Sequence, residues 1–207
     1  MKTLRNIVLA GMACLLVVAA GRFAAGLEPT PSTGEGPFFP VEDDWESDND
    51  LTHLDGRSDA PQGQVFILEG TVRGTAGSAL AGAEVVIWQT DVWGKYRHPQ
   101  EDRRRPDGSS VPLDPAFQYS GRTVTDADGH YSFRTIVPGT YGRRPRHIHL
   151  RVDHPDHGRL ATEIHFAGDL WANEDGAAAR SEHDRLAVEL SSSSDSLPRA
   201  RFDLVLP

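Results

Sequence analysis

From residue 65 onward, short apolar or alternating runs recur between turn-forming stretches, at 65–73, 83–90, 130–135, 146–153, 160–167, 186–190 and 200–206. Their length and alternation predict strands. Asp126-Ala127-Asp128-Gly129 predicts a tight turn, since an aspartate caps the turn and glycine accepts a positive φ. Residues 74–82 predict another. No long stretch repeats with a helical period. Short strands at this spacing predict an all-β chain, a β-sandwich with long loops forming the mouth of an active site. Residues 27–63, rich in proline, glycine, serine and acids, read as an extended arm leading into a sandwich at 64–207. Residues 97–118 read as a polar insertion able to wall the mouth, and the serines at 191–194 as a flexible connector. No internal repeat is visible.

The alternation at 146–153 carries chemistry. On a strand, His147, His149 and Arg151 share one face while Ile148, Leu150 and Val152 share the other. Two imidazoles on one face make a candidate metal site, although His-x-His alone fits hydrogen-bonded structural histidines too. Two tyrosines raise its significance. Tyr96 ends the segment after the 83–90 run, and Tyr141 lies just before the histidines. Together they offer two phenol oxygens and two imidazole nitrogens. A phenol is protonated at neutral pH, so ionising it needs a strong positive charge nearby. A high-valent cation supplies that charge, and a hard phenolate favours Fe(III). Zinc more usually recruits cysteine, histidine or carboxylate.

Several segments in order resemble the intradiol ring-cleavage dioxygenases, the family of protocatechuate 3,4-dioxygenase and catechol 1,2-dioxygenase. They are Glu35-Gly-Pro-Phe-Phe-Pro40, Asp50-Leu-Thr52, Leu68-Glu-Gly-Thr-Val72, Trp88-Gln-Thr-Asp91 with Gly94-Lys-Tyr96, and Thr125 to Arg134. Pro138-Gly-Thr-Tyr141, Arg144-Pro-Arg-His-Ile-His149 and Phe166-Ala-Gly-Asp169 complete the series. The resemblance implies one mononuclear, non-haem Fe(III) per chain, held by Tyr96, Tyr141, His147 and His149. It implies that Arg144 stabilises electron-rich catecholate. The implied partners are a small catechol and O2, and the implied product is a cis,cis-muconate. Two departures stand out. Only Gly142 and Arg143 separate Tyr141 from Arg144, where the protocatechuate enzymes have a longer, tryptophan-containing stretch. This shortening resembles the stand-alone, secreted branch of the family. Glu163 stands where the family often has glutamine, and a carboxylate there would disfavour an acidic ring substituent. Glu163 and His165, two apart, share a face and are candidates to orient a ligand or water.

Composition narrows the partners. The 207 residues carry a net charge of −9, and the short cluster Arg103-Arg104-Arg105 sits among acids; nucleic acid is not an expected partner. Lys2 and Arg5, the apolar stretch 7–20 and the small residues Ala24-Ala25-Gly26 read as an export signal over 1–26. A periplasmic or extracellular location follows, without a stable membrane span once the signal is removed; an uncleaved anchor is the alternative. Cys14 is the sole cysteine and lies in that signal, which leaves no disulfide or thiolate chemistry for the mature chain. Homo-oligomerisation stays open. His154, His157 and His183 lie in polar turns and read as solvated, His98 as a loop hydrogen-bonding residue, and Trp88, Trp93 and Phe133 as core. Two other readings compete. A non-catalytic transthyretin-like or carboxypeptidase-regulatory-like sandwich would use the same strands but would not require two tyrosines, Arg144 and His-x-His together. A zinc hydrolase would keep the metal, with Glu163 as a distant candidate base.

Overall fold

The computed structural model describes residues 26–41, 46–169, 184–193 and 196–207. The predicted export signal, apart from Gly26, lies outside the described residues, as do His183 and much of the acidic stretch 42–48. The described residues form ten strands: β1 (Val65–Gly74), β2 (Glu84–Gln89), β3 (Ser120–Val124), β4 (His130–Ile136), β5 (His147–His154), β6 (Gly158–Phe166), β7 (Ala187–Val188), β8 (Ser191–Ser193), β9 (Ser196–Arg201) and β10 (Leu204–Leu206). Two five-stranded sheets face each other. Among the described residues no helix is long and apolar enough to cross a membrane.

In the first sheet β1 is central. It pairs with β4 antiparallel, from Val65↔Ile136 to Thr71↔His130. Its other edge takes β9 and then β10, both parallel, and β8 pairs with β9. The predicted strand 200–206 is therefore two strands. Phe202 and Asp203 form the break, where Asp203 accepts the Thr71 N–H at 2.9 Å and Phe202 N–H donates to the Glu69 carbonyl. Gly70 permits the break, because a Cβ there would stand 1.8 Å from the Phe202 carbonyl oxygen. The serine connector is corrected too: Ser191–Ser193 is strand β8, paired with β9.

The second sheet runs β3-β2-β5-β6-β7. Strand β3 is absent from the sequence reading, because SGRTV is a short, half-exposed edge strand with little apolar signal. The predicted turn at 126–129 forms as expected. Asp126 accepts from the N–H groups of Asp128 and His130, each at 2.9 Å, and Gly129 takes a φ of 74°.

Phe66, Leu68, Val72 and Phe133 from the first sheet meet Val85, Ile87, Ile148, Leu150, Val152 and Ile164 from the second in one core. Each fully buried side chain of this size contributes about 1.5–3 kcal/mol. Phe133 is core, as read; Trp93 is not, being 40% exposed.

The arm does not hang free. Thr30 bonds Val205 of β10, Thr33 bonds Ala161 of β6, and Leu51 bonds Arg134 of β4. Between these anchors, residues 34–41 cross the outer face of the second sheet. Leu51 is fully buried and joins the core.

Candidate metal centre

Pairing of β5 with β6 puts His147 opposite His165 and His149 opposite Glu163. The inward partners Ile148, Leu150 and Ile164 fill the core, so alternation turns all four polar side chains outward. That outer face is nevertheless buried: His147, His149 and His165 are at most 2% exposed and Glu163 is 6% exposed. The arm is the cover. Gly36 passes so close that a Cβ would meet His149 Cε1 at 3.1 Å. Phe38 packs on Tyr96 and Tyr141, with ring centroids 4.9 and 5.3 Å apart. Phe39 packs edge-on to Trp88 and under the Arg151 guanidinium. Trp88 in turn stacks flat on His149 at 5.0 Å. It is buried as expected, but on this outer face rather than in the core between the sheets.

Tyr96 arrives on a braced loop. Asp91 accepts from the N–H groups of Trp93 and Lys95, each at 3.0 Å, and from the Tyr119 hydroxyl at 2.8 Å. Lys95 pairs with the buried Glu101 at 3.2 Å. Burial raises the Asp91 carboxyl above the ordinary range, while these donors pull it back down. The Tyr141 loop meets the Tyr96 loop through glycines. A Cβ on Gly94 would stand 2.0 Å from the Thr140 carbonyl oxygen, and one on Gly139 would stand 2.4 Å from Gly94 N.

The Tyr96 hydroxyl lies 2.8 Å from His147 Nε2. His147 Nδ1 lies 2.8 Å from the Pro145 carbonyl. That carbonyl can only accept, so Nδ1 carries the proton and Nε2 presents its lone pair toward Tyr96. His149 Nδ1 is buried without a hydrogen-bond partner. Ligand atoms of His147, His149 and Glu163 all lie within 4.8 Å of one another. Arg144 makes a two-point pair with Glu163, NH1 to Oε1 at 3.1 Å and NH2 to Oε2. Behind it Arg146 is clamped by Asp169, with Nε to Oδ2 at 2.8 Å, which fixes the start of β5.

Burial lowers both histidine pKa values, that of His149 to about 2, so both rings are neutral and available as ligands at neutral pH. Burial and the Glu163 charge push the Tyr96 phenol far up. Its ionised form therefore needs a cation beside it. A lone pair aimed at a phenol oxygen, a second buried neutral imidazole and a carboxylate in reach fit a bound metal.

The structure thus brings Tyr96, Arg144, His147, His149, Glu163 and His165 together. Tyr141 joins through its ring, edge-on to Tyr96 at 5.4 Å. Among the described residues no hydrogen bond links its hydroxyl to either histidine. Burial raises its pKa, Glu101 adds to the rise and Arg103 opposes it. Sequence reasoning missed the Arg144–Glu163 pair and the bracing by Asp91 and Tyr119. The positive φ of 68° at Tyr119 has no signature in the sequence.

A family model described as "Dioxygenase" matches residues 34–207. The chain is 35% identical over 141 residues to the protocatechuate 3,4-dioxygenase beta chain of Burkholderia cepacia, covering 64% of this chain and 57% of that protein. It is 34% identical over 178 residues to catechol 1,2-dioxygenase of Acinetobacter baylyi, covering 77% of this chain and 53% of that protein. The chain thus spans little more than half the length of these curated relatives. Among solved structures, the dioxygenase domain of a dioxygenase carbohydrate-binding protein fusion from Streptomyces sp. SirexAA-E matches at 27% identity and TM-score 0.62, covering 86% of this chain and 98% of that one. An intradiol ring-cleavage dioxygenase from Tetranychus urticae shares the fold at 21% identity and TM-score 0.65, covering 87% of this chain and 95% of that one.

Proposed function

The chain belongs to the intradiol ring-cleavage dioxygenase family, and from that premise we propose that it is an exported Fe(III) enzyme cleaving a catechol with O2 to a cis,cis-muconate. Both oxygen atoms enter the product, and the ring opens between the two hydroxyl-bearing carbons. The observation that carries this reading is the Tyr96 hydroxyl lying 2.8 Å from His147 Nε2, beside His149. Tyr96, Tyr141, His147 and His149 would hold the iron. Bound Fe(III) supplies a Lewis acid and a template for the catechol. The protein does the rest. The Pro145 carbonyl fixes the His147 tautomer, and the Trp88 ring fixes the His149 plane. The Arg144 guanidinium, held from behind by Glu163 and with NH1 3.5 Å from His147 Nε2, would turn that edge toward the negative charge developing on the catecholate. The Tyr141 oxygen takes a catechol hydroxyl proton at the mouth. Phe38 excludes water from the Tyr96–Tyr141 side, which strengthens every charge interaction inside. Export through residues 1–26 places the reaction outside the cytoplasm.

The test is a visible spectrum of the iron-loaded mature protein, taken with catechol without air and then with air. A reddish tyrosinate band that shifts with catechol and gives way to muconate supports the reading. A protein that holds Fe(III) yet stays colourless overturns it.

A further inference from the structure

We propose that Glu163 is a specificity-determining residue that makes this site select catechols whose ring bears no anionic group. The inference rests on the Fe(III) dioxygenase reading above and names its substrate class. The carboxylate sits on β6 directly across from His149, with its side chain 8% exposed. Both of its oxygens engage Arg144, NH1 to Oε1 at 3.1 Å and NH2 to Oε2. His149 Nδ1 and His165 Nε2 lie 3.5 and 3.7 Å from the same carboxylate.

The consequence is electrostatic. Arg144 is the cation beside the ligand histidines, its NH1 3.5 Å from His147 Nε2. A fixed, buried carboxylate already compensates it through a bidentate pair, the strongest arrangement available to a guanidinium. Two cations of the Tyr96 side are engaged as well, while Arg143, next to Arg144, lies exposed in solvent. Lys95 pairs with Glu101 at 3.2 Å. Arg103 donates to the carbonyls of Trp93 and Thr140. A ring carboxylate brought beside Arg144, whose side chain is 46% exposed, meets the like charge of Glu163 behind it and finds the guanidinium already paired. A hydroxyl, methyl or ester group carries no such penalty. Glutamine at 163 would be close in shape to glutamate and would leave the Arg144 charge uncompensated.

The test compares 3,4-dihydroxybenzoate with its methyl ester, which differ mainly in charge. Binding to the iron-loaded protein is read by isothermal titration without O2. The parent is expected to bind the ester at least tenfold more tightly than the acid. Glu163→Gln is expected to narrow that gap about tenfold. Equal binding of acid and ester by the parent overturns the proposal, and so does a gap unchanged in Glu163→Gln. Should the amide variant fail to hold iron, Glu163→Asp keeps the charge and is expected to keep the ester preference; losing it counts against the proposal. The visible band separates the two readings. Ester preference in a colourless iron protein would sink the tyrosinate assignment and leave charge selection standing. A coloured protein indifferent to charge would do the reverse.

Discussion

The outer faces of the two sheets are built from the same alternation and end in opposite environments. On the first sheet, Glu69 of β1 pairs with Arg199 of β9 at 2.5 Å, with side chains 24% and 53% exposed. Arg134 of β4 reaches Asp50 at 3.4 Å, also partly in solvent. On the second sheet the equivalent polar positions are His147, His149, Glu163 and His165, all buried. The difference lies in what crosses them. The arm lays Gly36, Phe38 and Phe39 over the second face, while the first stays open. Solvated polar side chains tolerate replacement. Buried ones must be satisfied by a partner: for Glu163 it is Arg144, and for His147 and His149 the partner we assign is a metal.

The hardest test of that contrast removes a ligand. Tyr96→Phe and His147→Ala are each expected to lose iron, by metal analysis of the purified protein. Catechol turnover should drop on the order of a thousandfold or more. Near-normal iron and turnover in both would mean that the buried face holds its histidines for structural reasons alone. Arg144→Ala comes next. It should keep its iron and slow ring cleavage by about a hundredfold, the usual cost of a donor aimed at developing charge. A variant matching the parent rate would show that Arg144 serves Glu163 only.

Much of this contrast was legible before the fold was known, and the illegible part has a physical reason. His147, His149 and Arg151 alternate with Ile148, Leu150 and Val152, so the strand and its two faces follow from period two. That pattern says which side is apolar, but not whether the polar side meets water. The resemblance suggests Gly36-Pro-Phe-Phe-Pro40 as a cap over the site, with an apolar tether on the sandwich edge as the alternative; the residues alone do not decide between them, because the arm's course is set by backbone bonds such as Thr33 to Ala161 and Leu51 to Arg134. Such bonds join residues far apart in sequence and carry no side-chain signal. Glu163 was visible as an odd carboxylate, yet its pairing with Arg144 depends on how the loop before β5 folds back. Strand β8 was missed for a related reason: Ser191–Ser193 has no apolar face and exists because β9 offers it an edge.

Acid separates the faces less drastically, in the metal-free protein. Burial lowers the pKa of His149 to about 2, while the unfolded ring takes a proton near 6.5. The folded ring refuses that proton. Stability is therefore fully present above about pH 6.5 and falls as pH drops, by about 2 kcal/mol at pH 5 from His149 alone. His147, also lowered by burial, adds to the loss in the same direction. Asp169 and Asp203, held below the ordinary carboxylate range by Arg146 and by Arg201 with Thr71, begin to yield stability only below about pH 4. Thermal melts between pH 7 and pH 5 thus isolate the histidines. A flat profile there in the parent would show that the buried rings accept protons freely.

The smallest expected effect is the control that completes the contrast. Arg199→Ala removes the guanidinium that bonds Glu69 on the open face of the first sheet. Half of the arginine side chain is already in water, so the lost Coulomb attraction is weak, screened by salt and offset by regained side-chain freedom. The melting free energy should shift by no more than about 0.5 kcal/mol, and less in high salt. Iron content and catechol turnover should not move, because β9 reaches the buried face only through the core. A loss of iron in Arg199→Ala would mean that the two faces are coupled through the sandwich. The buried histidines would then owe their geometry to the whole fold rather than to the arm that covers them.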